Sequence, residues 1–133
     1  MSRSILVCWH LYTPFGKEYY VPILDFFLHN IRKWNNEYDR IYFIDNNWEI
    51  EKQLGDIRIL DEVKGKILRV NPHLRYYDAY KEVLPQIEED LVLFMDNDTL
   101  VYKEGIIRGA FLKLEPSLHN RDTYDVVSII DDI

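Results

Sequence analysis

The feature that most constrains the fold is an alternation of two apolar patterns along the chain. Short, nearly continuous apolar runs are typical of strands that are buried on both faces of a sheet. Such runs occupy residues 4–8, 41–44, 67–70, 91–95 and 126–130. Between them lie segments whose apolar residues recur three or four positions apart, which is the spacing of a helix with one buried face.

The helical spacing occurs in residues 24–34, 76–84 and 106–114. Proline marks the limits of these segments, because its ring removes a hydrogen bond and clashes with the preceding turn. The pattern places Pro22 in the first turn of the first helix, ends the second helix at Pro85 and closes the third at Pro116. Residues 48–65 are less regular, and we expect a short helix there followed by a weak strand over residues 57–60.

Buried strands that alternate with amphipathic helices predict βαβ units. The expected fold is therefore α/β, a Rossmann-like three-layer sandwich with a mainly parallel sheet and helices on both faces. With 133 residues, the chain is long enough for a single domain over residues 1–133 and too short for two. Ligands of such folds bind outside the carboxyl ends of the strands.

Composition excludes several functions. The net charge of −7 disfavours nucleic-acid binding, because an acidic surface repels phosphate backbones. Cys8 is the single cysteine, so no internal disulfide forms and a reducing, cytoplasmic compartment is expected. No apolar stretch reaches the length of a bilayer, so the sequence predicts no transmembrane segment.

Aspartates follow three of the predicted strands: Asp45 in IYFIDNN, Asp96 and Asp98 in LVLFMDND, and Asp131 and Asp132 in VVSIIDD. If the strands are parallel, all of these carboxylates lie along one edge of the sheet. For Asp45 and for the terminal pair, an ordinary turn or helix cap explains the aspartate equally well.

Asp96 and Asp98 are two positions apart, directly after a buried strand. Close carboxylates repel each other unless a cation lies between them, and hard oxygen ligands suit Mg²⁺ or Mn²⁺. The motif thus predicts a divalent-metal site, with a structural turn as the alternative.

The segment DLVLFMDNDTLV, residues 90–101, resembles the DXD motif of GT-A-fold glycosyltransferases. The resemblance extends over nearly the whole chain: the first strand leads into the loop HLYTPFG and a helix, the second strand ends in IDNN, and a helix near Tyr76 precedes the DXD strand. It implies the donor half of a metal-dependent glycosyltransferase, which binds a nucleoside-diphosphate sugar. A UDP-sugar is favoured, and the acceptor is unknown.

The resemblance also implies roles for individual residues. Asp98 would coordinate Mn²⁺ or Mg²⁺ directly, and Asp96 would bind the metal or the ribose. Asp45 would contact the base or ribose, Thr13 the nucleoside, and Arg75 the uracil or the diphosphate. The cation would stabilise the charge that grows on the departing diphosphate.

Related enzymes have a second half that binds the acceptor and, in inverting members, supplies a general base. The chain ends at IIDDI, directly after a predicted strand, so we expect a module truncated before that half. Asp131 and Asp132 are not favoured as the base, because the matching residue falls beyond this sequence. No catalytic residue is assigned, and the pattern does not distinguish inverting from retaining chemistry.

Two alternatives stay open. A haloacid-dehalogenase-like phosphatase carries DxDxT on its first strand, whereas here Thr99 comes one position early and the motif lies at residue 96. A non-catalytic α/β binding domain would use the acids only as caps and would show no metal-dependent nucleotide affinity. A nucleotidyltransferase is disfavoured, because the loop after the first strand contains Gly16 alone and no Gly-rich phosphate motif.

Overall fold

The computed structural model describes residues 1–9, 17–45, 58–71, 74 and 76–119. Within these residues, four strands form one sheet in the order β3-β2-β1-β4: β1 Arg3–Trp9, β2 Arg40–Asp45, β3 Gly65–Arg69 and β4 Leu91–Met95. Every pair of neighbours is parallel, which confirms the predicted sheet. The fifth predicted strand, residues 126–130, lies outside the described residues.

Helices cover both faces of this sheet. They are α1 Lys17–Arg32, α2 Arg58–Glu62, α3 Tyr76–Val83 and α4 Ile106–His119, with a short 3₁₀ turn at Leu84–Gln86 after α3. Apolar side chains of α1, α2 and α4 pack in one cluster, and those of α3 pack in a second cluster. The predicted three-layer, Rossmann-like α/β fold is therefore confirmed.

Successive side chains of β1 point to opposite faces of the sheet, so β1 contributes to the helix-covered core on each face. Ile5 and Val7 point into the cluster under α1, whereas Leu6 points into the cluster under α3, and all three are fully buried. Under α1, Phe27 meets Phe43 of β2 edge to face, with ring centroids 6.2 Å apart. Burial on both faces explains why the central strands have unbroken apolar runs.

The weak strand predicted over residues 57–60 is wrong. Residues from Arg58 onward form α2, and the Val63 N–H donates to the Ile59 carbonyl oxygen at 3.0 Å, as in a helical turn. Ile57 lies outside the described residues. The apolar side chains of Ile59 and Val63 are four positions apart, so one helical turn brings both to the same face and into the same cluster.

Proline positions differ from two of the three expectations. Helix α1 begins at Lys17, so Pro22 is its sixth residue and lies in the second turn, whereas the apolar spacing marked the helix only from residue 24 onward. Helix α4 continues past Pro116 to His119, which costs one backbone hydrogen bond near its end. Pro85 does end α3 as expected, and it lies in the 3₁₀ turn.

None of the helices in the described part of the chain is both long enough and apolar enough to cross a bilayer.

A buried tyrosine links the connection between α1 and β2 to the residue that follows α2. The Tyr38 hydroxyl donates to the Val63 carbonyl oxygen at 2.8 Å. Tyr38→Phe should lower the free energy of unfolding by about 1–2 kcal/mol near neutral pH, because a buried carbonyl loses its donor. Burial also raises the pKa of Tyr38 above that of a solvated tyrosine, so the native hydroxyl stays protonated while the unfolded one ionises at about pH 10. The advantage of the wild type over the variant should therefore shrink as the pH rises above about 10.

Urea unfolding of both proteins at about pH 7 and about pH 11 measures this difference. Tyr102→Phe is the matched control, because Tyr102 is 60% exposed and its removal should leave stability unchanged. An advantage of the same size at both pH values would contradict the prediction.

Candidate functional site

The register of the sheet brings two of the predicted acids to the same edge. Trp9 of β1 pairs with Asp45 at the end of β2, and Val7 pairs with Met95, the residue before Asp96. Asp45 and Asp96 therefore flank the end of β1, with main chains two strand spacings or about 10 Å apart. This is the carboxyl edge, where parallel sheets bind their ligands.

A tight turn carries Asp96 and Asp98 out of the sheet. The Thr99 N–H donates to the Asp96 carbonyl oxygen at 3.1 Å. Both aspartate side chains are exposed, and neither makes a hydrogen bond or ion pair with any residue that the structure describes. The four residues of such a turn lie within roughly 7 Å, so two carboxylates on it are near enough to bind one cation. The structural turn considered as an alternative is thus present, and it leaves both carboxylates available.

An open cleft lies beside Asp98. Its volume is about 250 Å³, and it is bounded by Asn97, Asp98 and Thr99 on one side and by α1 on the other. The α1 wall is apolar and consists of Pro22, Ile23, Phe26 and Phe27. The cleft is smaller than the roughly 300–1,000 Å³ typical of sites for small organic ligands, so it has room for part of such a ligand.

Acids at the opposite, amino edge of the sheet have structural roles. Asp39 accepts the Arg3 N–H at 2.7 Å, and Asp90 accepts both the Ser2 N–H and the Ser2 hydroxyl at 3.0 Å. The hydrogen bond from the Ser2 backbone N–H has the largest effect on the pKa of Asp90 and lowers it, and the bond from the Ser2 hydroxyl lowers it further. These contacts fasten the start of β1 to its neighbours, a role that the described contacts do not give to Asp96 or Asp98.

Asp45 differs from the other two predicted acids. Its side chain is fully buried and engaged within the protein, and its carbonyl oxygen accepts the Val70 N–H at 3.1 Å. The structure thus places Asp45 at the expected edge but does not present its carboxylate to solvent. Thr13 and Arg75 lie outside the described residues, as do Asp131 and Asp132.

Two residues of the α1 region hold the chain that follows the turn. The Asn30 side-chain amide donates to the Val101 carbonyl oxygen and accepts the Val101 N–H, both at 2.9 Å. The Trp34 indole N–H donates to the same carbonyl oxygen at 3.0 Å. Sequence reasoning missed this contact, although Asn30 gives a signal as a polar residue within an apolar helical stripe.

The buried carboxylate of Glu37 binds the backbone at the start of α4. Glu37 is 1% exposed and accepts the N–H groups of Gly105, at 3.1 and 3.2 Å to its two oxygens, and of Arg108, at 3.0 Å. Gly105 has a φ of +89°, a conformation that glycine adopts without strain. A carboxylate at this position satisfies N–H groups of the first helical turn and complements the helix dipole.

Among the residues that the structure describes, no group of three or more His, Cys, Asp and Glu side chains is arranged to hold a metal. A site of two carboxylates is still adequate for Mg²⁺ or Mn²⁺ when the substrate's phosphate oxygens and water complete the coordination. The donor set on the turn, exposed carboxylate oxygens without described partners, fits such a cation.

Comparison with known proteins supports the fold. No protein-family model matches the chain, and no curated protein matches it significantly in sequence. A solved structure of similar fold is that of residues 1–349 of TarS from S. aureus, a glycosyltransferase, with a TM-score of 0.59 and 18% identity. The match covers 89% of this chain and 33% of that one, so the chain spans a third of the TarS structure. The similarity therefore shows a Rossmann-like α/β fold.

The hydrogen bonds that Glu37 accepts at the start of α4, here called the cap, give a prediction for stability. Glu37→Ala should lower the free energy of unfolding by about 1–3 kcal/mol, because the N–H groups of Gly105 and Arg108 lose their buried acceptor. Urea unfolding followed by circular dichroism measures the loss. Glu104→Ala is the control, since Glu104 is an exposed acid on the same segment. Equal stability of the two variants would show that the cap contributes nothing.

Proposed function

We propose that this chain is the donor-binding part of a glycosyltransferase and that it binds a nucleoside-diphosphate sugar through a divalent cation. The observation that carries the proposal is the turn at residues 96–99. It presents two exposed carboxylates at the carboxyl edge of a parallel sheet, next to the central strand and beside a cleft. The similarity of fold to a glycosyltransferase agrees with this function.

In this proposal Asp98 coordinates Mn²⁺ or Mg²⁺ directly, and Asp96 binds the cation or the ribose. When bound, the cation links the acidic turn to the diphosphate and stabilises the charge that develops on it as the sugar departs. This resolves an electrostatic conflict, because a chain with a net charge of −7 would otherwise repel a diphosphate.

The remaining contacts are extensions of the same proposal. Thr13 and Arg75 contact the nucleoside and the uracil or diphosphate, and UDP is the favoured nucleotide. Asp45 contacts the base or ribose only if its buried carboxylate becomes accessible on binding, which makes it the weakest contact of the set. The proposed location is cytoplasmic, and the acceptor and the catalytic base are not assigned.

Calorimetric titration with UDP tests the proposal. In the presence of Mn²⁺ the wild-type chain should bind UDP, and chelation of the metal should weaken binding at least about tenfold, or 1.4 kcal/mol. Asp98→Ala should cause a loss of the same size, because the cation loses its direct ligand. GDP in parallel tests the choice of base.

Asp61→Ala provides the matched control, because Asp61 is an exposed aspartate near the end of α2, just before β3 begins, and so lies towards the amino edge of the sheet. This variant should bind UDP as the wild type does. Equal UDP affinity with Mn²⁺ and with chelator would exclude the metal-dependent site and would favour a non-catalytic domain. Hydrolysis of an aryl phosphate that Asp96→Asn abolishes would instead favour the phosphatase alternative.

A further inference from the structure

The segment that carries Asp98 is held at both of its ends. At one end Met95 is the last residue of β4 and is largely buried. At the other end Val101 is 3% exposed, and both of its backbone polar groups bond to Asn30 of α1. Only residues 96–100 lie between these fixed points. Their freedom is therefore set by how firmly each end is fixed.

Asn30 is built to hold the second of these ends. Its amide group donates to one backbone group of Val101 and accepts from the other, which fixes both the position and the orientation of that peptide. Trp34 uses the remaining lone pair of the Val101 carbonyl oxygen. Asn30 is itself 7% exposed, so these bonds are made away from competing water.

The same helix also forms the wall of the cleft. Phe26 and Phe27 precede Asn30 by four and three positions, which places them on the face of α1 that contacts the turn. Residues 97–99 and residues 22–27 of α1 line the same cleft, Val101 bonds to Asn30, and Gly105 bonds to Glu37 beyond the end of α1. The chain leaving β4 thus follows the middle and end of α1 and the residues after it.

We propose that Asn30 is a positioning residue that sets the place of Asp98 relative to α1 and thereby the metal affinity of the turn. This inference rests on the proposed function. Asn30 is buried and is not a ligand of the cation in this proposal. Its removal should nevertheless weaken metal binding. If the Val101 side chain alone holds the segment, Asn30 affects only stability.

The test compares variants under conditions in which every protein is fully folded. Mn²⁺ binding, followed by the electron paramagnetic resonance signal of the free ion with and without UDP, should weaken about tenfold in Asn30→Ala, the lower end of effects seen for residues that support metal ligands. Trp34→Phe removes the indole N–H donor and part of the ring but keeps both bonds of Asn30, so it should give a smaller loss. It also serves as the informative variant if Asn30→Ala does not fold.

Tyr38→Phe is the control for a loss of stability alone, since it deletes a buried hydrogen bond, from Tyr38 to Val63, that does not involve the turn. It should leave Mn²⁺ affinity at the wild-type level. Amide hydrogen exchange at Val101 should be faster in Asn30→Ala and unchanged in Tyr38→Phe.

The outcomes separate the two proposals. Wild-type Mn²⁺ binding that Asn30→Ala and Trp34→Phe retain in full would overturn the positioning role and leave the proposed function intact. Absence of Mn²⁺ binding in the wild type would overturn both. Equal weakening in the Asn30→Ala and Tyr38→Phe variants would show a general effect of stability and would also overturn the positioning role.

Discussion

The parallel pairing of β1 with both β2 and β4 is the constraint on which the rest of the structure depends. It places β1 at the centre, buried on both faces, and it brings the carboxyl ends of β2 and β4 to either side of β1. Asp45 and Asp96, which are 51 positions apart in sequence, lie at one edge for this reason alone. An antiparallel neighbour would send its final aspartate to the opposite edge, among the acids that fasten the start of β1.

The second determinant is the attachment of the chain after β4 to α1 and to the residues that follow α1. Three polar side chains at intervals of four and three residues, Asn30, Trp34 and Glu37, bond to backbone groups of the segment that follows the turn. The segment thus has ordered backbone without belonging to the sheet. A site needs supports of this kind, because residues that bind a ligand gain affinity when their position is fixed beforehand.

Long apolar patterns predicted the fold well. Continuous apolar runs predicted the buried parallel strands. Apolar residues at three- and four-residue spacing predicted the three longer helices. Residues 57–60 were mispredicted, because a short apolar run fits either a strand or a helix until its tertiary neighbours are known. The edge location of the acids was predictable, whereas the burial of Asp45 depends on tertiary packing that no local pattern encodes. The bonds between Asn30 and Val101 join residues 71 positions apart, and no local pattern encodes such a contact.

The central claim is that a divalent cation binds at Asp96 and Asp98, and paramagnetic broadening tests it most directly. Amide signals of the ¹⁵N-labelled chain are recorded while a small fraction of an equivalent of Mn²⁺ is added in the presence of UDP. The account predicts that the amides of residues 97–99 broaden first, because they are the nearest to the ion. Broadening that is strongest at other exposed acids, such as Glu82 or Glu88, or that is uniform over the surface, would contradict the account.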